Sequence, residues 1–304
     1  MAMTRVKRPT LSEMDLNPGK RARLHRLLYK YGPGNGTLLF LPIDQGLEHG
    51  PRDFFPNPPS KDPEFQFRLA KEGGFSGIAV QIGLARKYFS RYAGEVPLVL
   101  KLNGKTEIPP DKAPISPCNA TVEDAVALGA DAVGYTLYVG TPLQTEDFIQ
   151  FRKVREDAER FGMPVIVWAY PRGEAIEAKG GRDSFYAVDY AARVACELGA
   201  DVIKLNVPKI NPEKDTAAPK PYSSMQVTVE EAVHQVIESA GRTLVIFSGG
   251  EMQGEGDIIQ KARIGMEAGG TGLIFGRNVW QRPYEEALEL SRRFKEMLQE
   301  YSAE

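Results

Sequence analysis

The sequence predicts an α/β fold, a single (β/α)8 TIM barrel with a short N-terminal extension. Three observations predict it. Eight short apolar runs recur between residues 37 and 277 of the 304, the span such a barrel occupies. They are near-continuous in Val, Ile and Leu rather than alternating, as strands buried on both faces are. A phrase of helix end, glycine, small residues and strand also repeats, as GGFSGIAV (73–80), LGADAVGY (128–135), LGADVIKL (198–205) and AGGTGLIF (268–275). Glycine suits that position because the residue after a helix favours positive φ. A doubly wound open sheet is the rival, but it has fewer strands as a rule, and no GxGxxG follows the first run.

In chain order, residues 1–36 form the extension. They hold a basic helix from Lys20 to Lys30, with Arg21, Arg23 and Arg26, expected across the barrel bottom or at a subunit contact. The first strand is TLLFLPID (37–44). Asp62 and Pro63 then open a helix as N-cap and first-turn proline, and Gly73-Gly74 closes it. Strands two and three are GIAVQIG (77–83) and PLVLKLNG (97–104). Thr121 with Asp124 has the spacing of an N-capping pair before strand four, DAVGYTLYVG (131–140). A long helix over 145–161 ends at Gly162, and strand five follows as PVIVWAY (164–170). Strand six, DVIKLNVP (201–208), leads into a Pro- and charge-rich loop over 209–226, expected to act as a lid. Thr228 with Glu231 caps the next helix, before strands seven, TLVIFSGG (243–250), and eight, TGLIFGR (271–277). The barrel runs over 37–290 and the end of a C-terminal helix over 291–304. No linker divides the chain, so one domain over 1–304 is expected.

Composition narrows the function. Lys+Arg 38 against Asp+Glu 40 leaves a net charge of −2, with no basic field for nucleic acid. No apolar run approaches ~20 residues, so no membrane-spanning helix is expected, and the N-terminus lacks the apolar core of a secretory signal. Two cysteines, Cys118 and Cys196, suit a reducing compartment, and a cytoplasmic protein is the expectation. The three histidines are His25, His49 and His234; a zinc site of three imidazoles would need all of them to converge. Neither metal nor cofactor is expected.

In such barrels the chemistry sits at the C-terminal ends of the strands. Ser248-Gly249-Gly250 and Gly276-Arg277 end strands seven and eight. Either alone is an ordinary glycine turn, but together they offer backbone amides and a guanidinium to a phosphate. Lys204 and Lys101 each sit mid-strand between apolar neighbours, in VIKLN and VLKLN. Burial disfavours the charged form, and a neutral amine attacks carbonyls to give a Schiff base. Local pattern does not rank the two. Asp44 ends an apolar strand, where a carboxylate needs a partner or a task. Trp168 and Tyr170 share a face of strand five, and a tyrosine at the rim can move protons. Asn103 and Asn206 after the two lysines, Tyr135 and Tyr138 of strand four, Gln45, Gly46, Glu48 and His49 after Asp44, and Arg172 beyond strand five complete the candidates.

LPIDQGLEHGP (41–51), VLKLNGKT (99–106), VWAYPRG (167–173), GADVIKLNVP (199–208), FSGG (247–250) and GGTGLIFGRNVWQRP (269–283) together resemble the archaeal-type class I fructose-bisphosphate aldolases, a family with bacterial members. The resemblance covers about 37–290. It implies Schiff-base, metal-independent cleavage of fructose 1,6-bisphosphate to dihydroxyacetone phosphate and glyceraldehyde 3-phosphate, and a homo-oligomer. Its strand-six lysine falls on Lys204, ranking it above Lys101. Its strand-five tyrosine and tryptophan fall on Tyr170 and Trp168, and its first-strand aspartate on Asp44. The glutamate-histidine-glycine that follows falls on Glu48, His49 and Gly50, and the phosphate site on Ser248, Gly249, Gly250, Gly276 and Arg277. Arg172 or lysines of 209–220 would meet the second phosphate. One departure is Asp44-Gln45-Gly46, where several members have Asp-His-Gly. Relatives with this barrel and lysine include a heptulosonate synthase and a thiolase of a phosphorylated dione. The alternatives are therefore another Schiff-base reaction on a phosphorylated ketone or, from a different class, a barrel that binds sugar phosphates without turnover.

Overall fold

The eight apolar runs fold as eight parallel strands that close on themselves: β1 (Leu38–Ile43), β2 (Gly77–Gln81), β3 (Leu98–Lys101), β4 (Ala132–Val139), β5 (Val165–Pro171), β6 (Val202–Asn206), β7 (Leu244–Ser248) and β8 (Gly272–Ile274). The structure is a computed structural model and describes residues 4–303. Closure comes from β8 pairing back onto β1, with Leu38 opposite Gly272 and Phe40 opposite Ile274.

Strand residues alternate between two cores because successive side chains leave opposite faces. Leu38, Phe40, Ala79, Val99, Ala132, Ile166, Trp168, Val202, Leu244, Ile246 and Ile274 fill the barrel. Their neighbours Leu39, Leu41, Leu100, Val133, Val167, Ile203, Leu205 and Phe247 pack under the helices. Both sets are apolar, which is why the strands read as unbroken apolar runs.

The N-terminal helix (Pro18–Tyr29), capped by the Asn17 side chain, lies across the barrel bottom. Its Leu24, Leu27 and Leu28 enter the inner core. Its basic face has specific partners: Lys20 pairs with Asp201 at 2.9 Å and Arg26 with Asp131. These are the two aspartates of the repeated LGAD phrase, placed just before β6 and β4. The glycines of that phrase, with Gly74 and Gly269, have positive φ (Gly129 at 70°, Gly199 at 95°), so each turns a helix end into a strand start.

Thr121–Asp124 and Thr228–Glu231 both form complete capping boxes. The shorter Asp124 still reaches the Thr121 amide at 3.0 Å. The 209–226 loop is held to its surroundings at two points: Lys209 pairs with Asp183 at 3.1 Å, and the Tyr222 hydroxyl donates to Asp189 at 2.6 Å. One segment differs from expectation. At the C-terminus the helix stops at Gln299, and Tyr301–Ala303 pair as a parallel strand with Thr4–Val6. No local pattern announces a pairing between chain ends. Among the described residues no helix is long and apolar enough to cross a membrane.

Candidate active site

Inward-facing residues at the C-terminal strand ends build the site. On β6 the inward parity that starts at Val202 makes Lys204 and Asn206 face the mouth; on β5 it does the same for Trp168 and Tyr170. Lys204 is 5% exposed, and its Nζ contacts the Tyr170 hydroxyl and lies 4.2 Å from the centre of that ring. Burial pulls the amine down to about 7, aided by the nearby Lys101 and Arg172 cations and opposed by Asp44 and Glu48. The Tyr170 hydroxyl is driven well above its ordinary value, first by burial and then by Glu48 and Asp44, so it stays protonated.

Lys101 on β3 has different company. Its Nζ donates to Thr136 Oγ1 at 2.7 Å and lies 3.4 Å from both Asp44 and Glu48. It also stands 4.9 Å from the centre of the Trp168 ring system. Asp44 does not belong to β1: the strand stops at Ile43, and Asp44 begins a one-turn helix (Gln45–Glu48). That turn swings Glu48 back beside Asp44. The Glu48 carboxyl is pushed up by burial first and by Asp44 second, against the pull of Lys101.

A second cluster occupies the ends of β7 and β8, which are adjacent, with Ser248 opposite Ile274. Ser248 Oγ donates to Asn206 Oδ1 at 2.5 Å, and Asn206 in turn donates to Asp183 at 3.0 Å. Gly250 has φ of 74°, and the Gly249 carbonyl accepts from Lys261 at 3.1 Å and Gln253 at 2.8 Å. Arg277 opens a one-turn helix (Arg277–Trp280) directly after Gly276, with its guanidinium 3.7 Å from Asp53. Asn278 ties the two loops together by accepting from the Gln253 amide at 2.8 Å and donating to the Glu251 carbonyl at 3.1 Å.

The profile of the DeoC/LacD family aldolases matches residues 38–282, from the first barrel strand to just past this second cluster. The chain belongs to that family. It is 40% identical over 264 residues to the class 1 fructose-bisphosphate aldolase of Thermoproteus tenax, covering 86% of this chain and 90% of that protein. It is 37% identical over 256 residues to the class 1 enzyme of Halobacterium salinarum, covering 83% and 88%. Among solved structures, an archaeal fructose-1,6-bisphosphate aldolase with its catalytic lysine covalently bound to a carbinolamine intermediate superposes with a TM-score of 0.77. It shares 37% identity, covering 91% of this chain and 99% of that one.

In this aldolase Lys204, Tyr170, Asp44, Lys101 and Trp168 gather at one mouth, and Ser248, Gly249, Gly250, Gly276 and Arg277 at its neighbouring edge. His49 and Arg172 sit on the rim with acids of their own. His49 Nδ1 is 2.9 Å from Glu107, and Arg172 is 3.7 Å from Asp111, its guanidinium 5.0 Å from the Tyr170 ring centre. Tyr135 is a correction. Parity turns it outward, where its hydroxyl donates to Asp147 in the helix layer at 2.6 Å. Two neighbours of the site were not among the residues singled out in the sequence: Thr136 and Lys261. Parity on β4 would have found the first. Lys261 lies on a helix (Glu255–Glu267) with no local signal, and only tertiary packing brings it to the Gly249 carbonyl.

Proposed function

We propose that the chain is a class I fructose-bisphosphate aldolase that reversibly cleaves fructose 1,6-bisphosphate to dihydroxyacetone phosphate and glyceraldehyde 3-phosphate, with Lys204 as the nucleophile. The observation that carries this is the buried Lys204 amine, held low by burial and touching a protonated tyrosine. A neutral amine there adds to the C2 ketone to give a carbinolamine. Tyr170 gives its proton to the departing hydroxyl, which leaves as water. The resulting phenolate is stabilised by the new iminium cation beside it. As the C3–C4 bond breaks, its electrons flow into the iminium to leave an enamine on Lys204, and the phenolate takes the C4 hydroxyl proton, freeing glyceraldehyde 3-phosphate. Protonation of the enamine at C3 and addition of water to the iminium then release dihydroxyacetone phosphate and restore the amine. The iminium is the electron sink, so no metal is called for. Lys101, paired with Asp44 and Glu48, and Trp168 shape the pocket around the substrate hydroxyls. Ser248, Gly249, Gly250, Gly276 and Arg277 hold one phosphate, while Arg172 and His49 are placed for the rim.

Borohydride reduction in the presence of dihydroxyacetone phosphate should leave a stable adduct on Lys204, read by peptide mass spectrometry. No adduct, with activity lost to EDTA instead, would sink the mechanism. A relative 32% identical over 265 residues, from Methanocaldococcus jannaschii, is a fructose-bisphosphate aldolase/6-deoxy-5-ketofructose 1-phosphate synthase. That favours a second reading, another Schiff-base transfer from a phosphorylated ketone, and product analysis over a panel of acceptor aldehydes separates the two. A cytoplasmic setting goes with the low cysteine count, and a homo-oligomer with the family resemblance; light scattering of the purified chain tests the second.

A further inference from the structure

A cavity of about 230 Å³ opens at the barrel's other end, remote from the catalytic mouth. Its lining includes Arg8, Thr10, Leu11, Leu28, Asn35 and Thr271. Arg8 is 6% exposed, and among the described residues no acid pairs with its guanidinium; Nη1 is buried with no hydrogen-bond partner. Thr271 Oγ1, on the same cavity, is likewise buried and unpartnered. Buried polar groups are ordinarily satisfied, and a buried cation without a partner is strongly disfavoured. The same face of the barrel supplies acids where other basic side chains dock, Asp201 for Lys20 and Asp131 for Arg26. Among the described residues Arg8 has no such acid. Burial draws its guanidinium down to about 10, and the titratable group that counters this is Tyr29.

We propose that this cavity is a binding site for a small organic carboxylate, its head group held by Arg8 and Thr271 and its apolar body by Leu11 and Leu28. A planar guanidinium matches a carboxylate with two parallel hydrogen bonds. The volume lies below that of pockets for drug-sized ligands and suits an anion of a few carbons. Thr271 directly precedes β8, and Leu244, also in the lining, opens β7. The cavity therefore touches the far ends of the two strands that carry the glycine loops.

Calorimetric titration of the full-length protein with butyrate, alongside its neutral isostere butyramide, tests this. Butyrate should bind saturably and raise the unfolding temperature, and butyramide should do neither. Arg8→Met should weaken butyrate at least about tenfold, leave aldol cleavage unchanged and, without butyrate, unfold at a higher temperature than the wild type. Thr271→Val keeps the cation and should weaken butyrate several-fold. The proposal is overturned if the wild type shows no saturable butyrate binding, or if inorganic phosphate binds there in its place. Arg8→Met binding butyrate as the wild type does, or unfolding earlier without it, overturns it equally. Should Arg8→Met fail to fold, undiminished butyrate binding by Thr271→Val overturns it too.

Discussion

Lys101 Nζ stands 3.4 Å from Asp44 Oδ2, and both side chains are closed off from solvent. Glu48 lies equally close to the same amine. Lys204 faces the same mouth with the Tyr170 hydroxyl as its hydrogen-bond partner and, among the described residues, no carboxylate in contact. Two lysines with nearly the same local sequence thus have opposite surroundings. One has its charge balanced by acids, and the other has its charged form disfavoured by burial.

That difference sets a pH dependence. The amine of Lys204 loses its proton in the folded state at about 7, against 10.5 for an ordinary lysine. kcat/KM should therefore fall on the acid side of about pH 7, approaching tenfold per unit. Between about pH 7 and 10.5 the unfolded chain binds the extra proton, so stability climbs with pH across that window. Lys204→Met should lose activity by about 10³-fold or more and abolish trapping. It should also flatten the climb in stability, as urea unfolding at pH 7 and pH 10 will show. A climb of equal slope in the variant would contradict the assignment.

Lys101→Met should keep the borohydride adduct on Lys204 and lose less activity than Lys204→Met. It leaves Asp44 and Glu48 buried without their cation, a cost of about 3–5 kcal/mol. Adding Asp44→Asn should recover part of that loss in a double-mutant cycle. An adduct that vanished in Lys101→Met and persisted in Lys204→Met would mean the nucleophile had been assigned to the wrong lysine.

Tyr170→Phe removes the hydroxyl that touches Lys204 and keeps the ring beside it. Cleavage should slow by about 10²–10⁴-fold, the usual contribution of a positioned proton-transfer group. Trapping should persist when hours are allowed. Rapid quench measurement of carbinolamine dehydration separates a lost proton donor from a lost binding contact, which would raise KM alone.

Gly276→Ala places a methyl 2.9 Å from the Pro42 carbonyl oxygen, a backbone atom with no freedom to yield, and 3.0 Å from Gln45 Nε2. The amide beside Arg277 must shift by a few tenths of an ångström. KM for fructose 1,6-bisphosphate should rise about tenfold or more, with little change for an unphosphorylated ketose at saturation. Equal effects on both substrates would argue against phosphate at this strand end.

Leu27→Ala opens a hole in the plug that the N-terminal helix makes against the inner core. It should destabilise the fold by about 2–5 kcal/mol while leaving kcat near the wild-type value, since the plug and the mouth are at opposite ends. Denaturation midpoints and steady-state rates check both halves.

Much of this architecture was legible because it is locally encoded. Thr121–Asp124 and Thr228–Glu231 announced their helices three residues at a time, and the Gly129 and Gly199 turns announced the strands after them. The strand ends gave a short candidate list, and inward parity brought most of it to one mouth. Parity also removed Tyr135, whose neighbour is the helix-borne Asp147 rather than the barrel interior. The one-turn helix after Asp44 and the strand pairing of Thr4–Val6 with Tyr301–Ala303 were not legible; the second depends on segments almost the whole chain apart.

The sequence by itself determined the barrel, the order of its strands and the rim that carries the candidate site, because periodicity, caps and glycine turns act over a few neighbouring residues. Only the tertiary structure distinguished VLKLN from VIKLN. The groups that separate them, Asp44, Glu48 and Thr136 around Lys101 and Tyr170 against Lys204, come from other strands. That Arg8 has no acid against it among the described residues was equally invisible, since pairing is a property of the space around a side chain. Burial and proximity set the charge of a buried group, and both are fixed only when the chain has closed into a barrel.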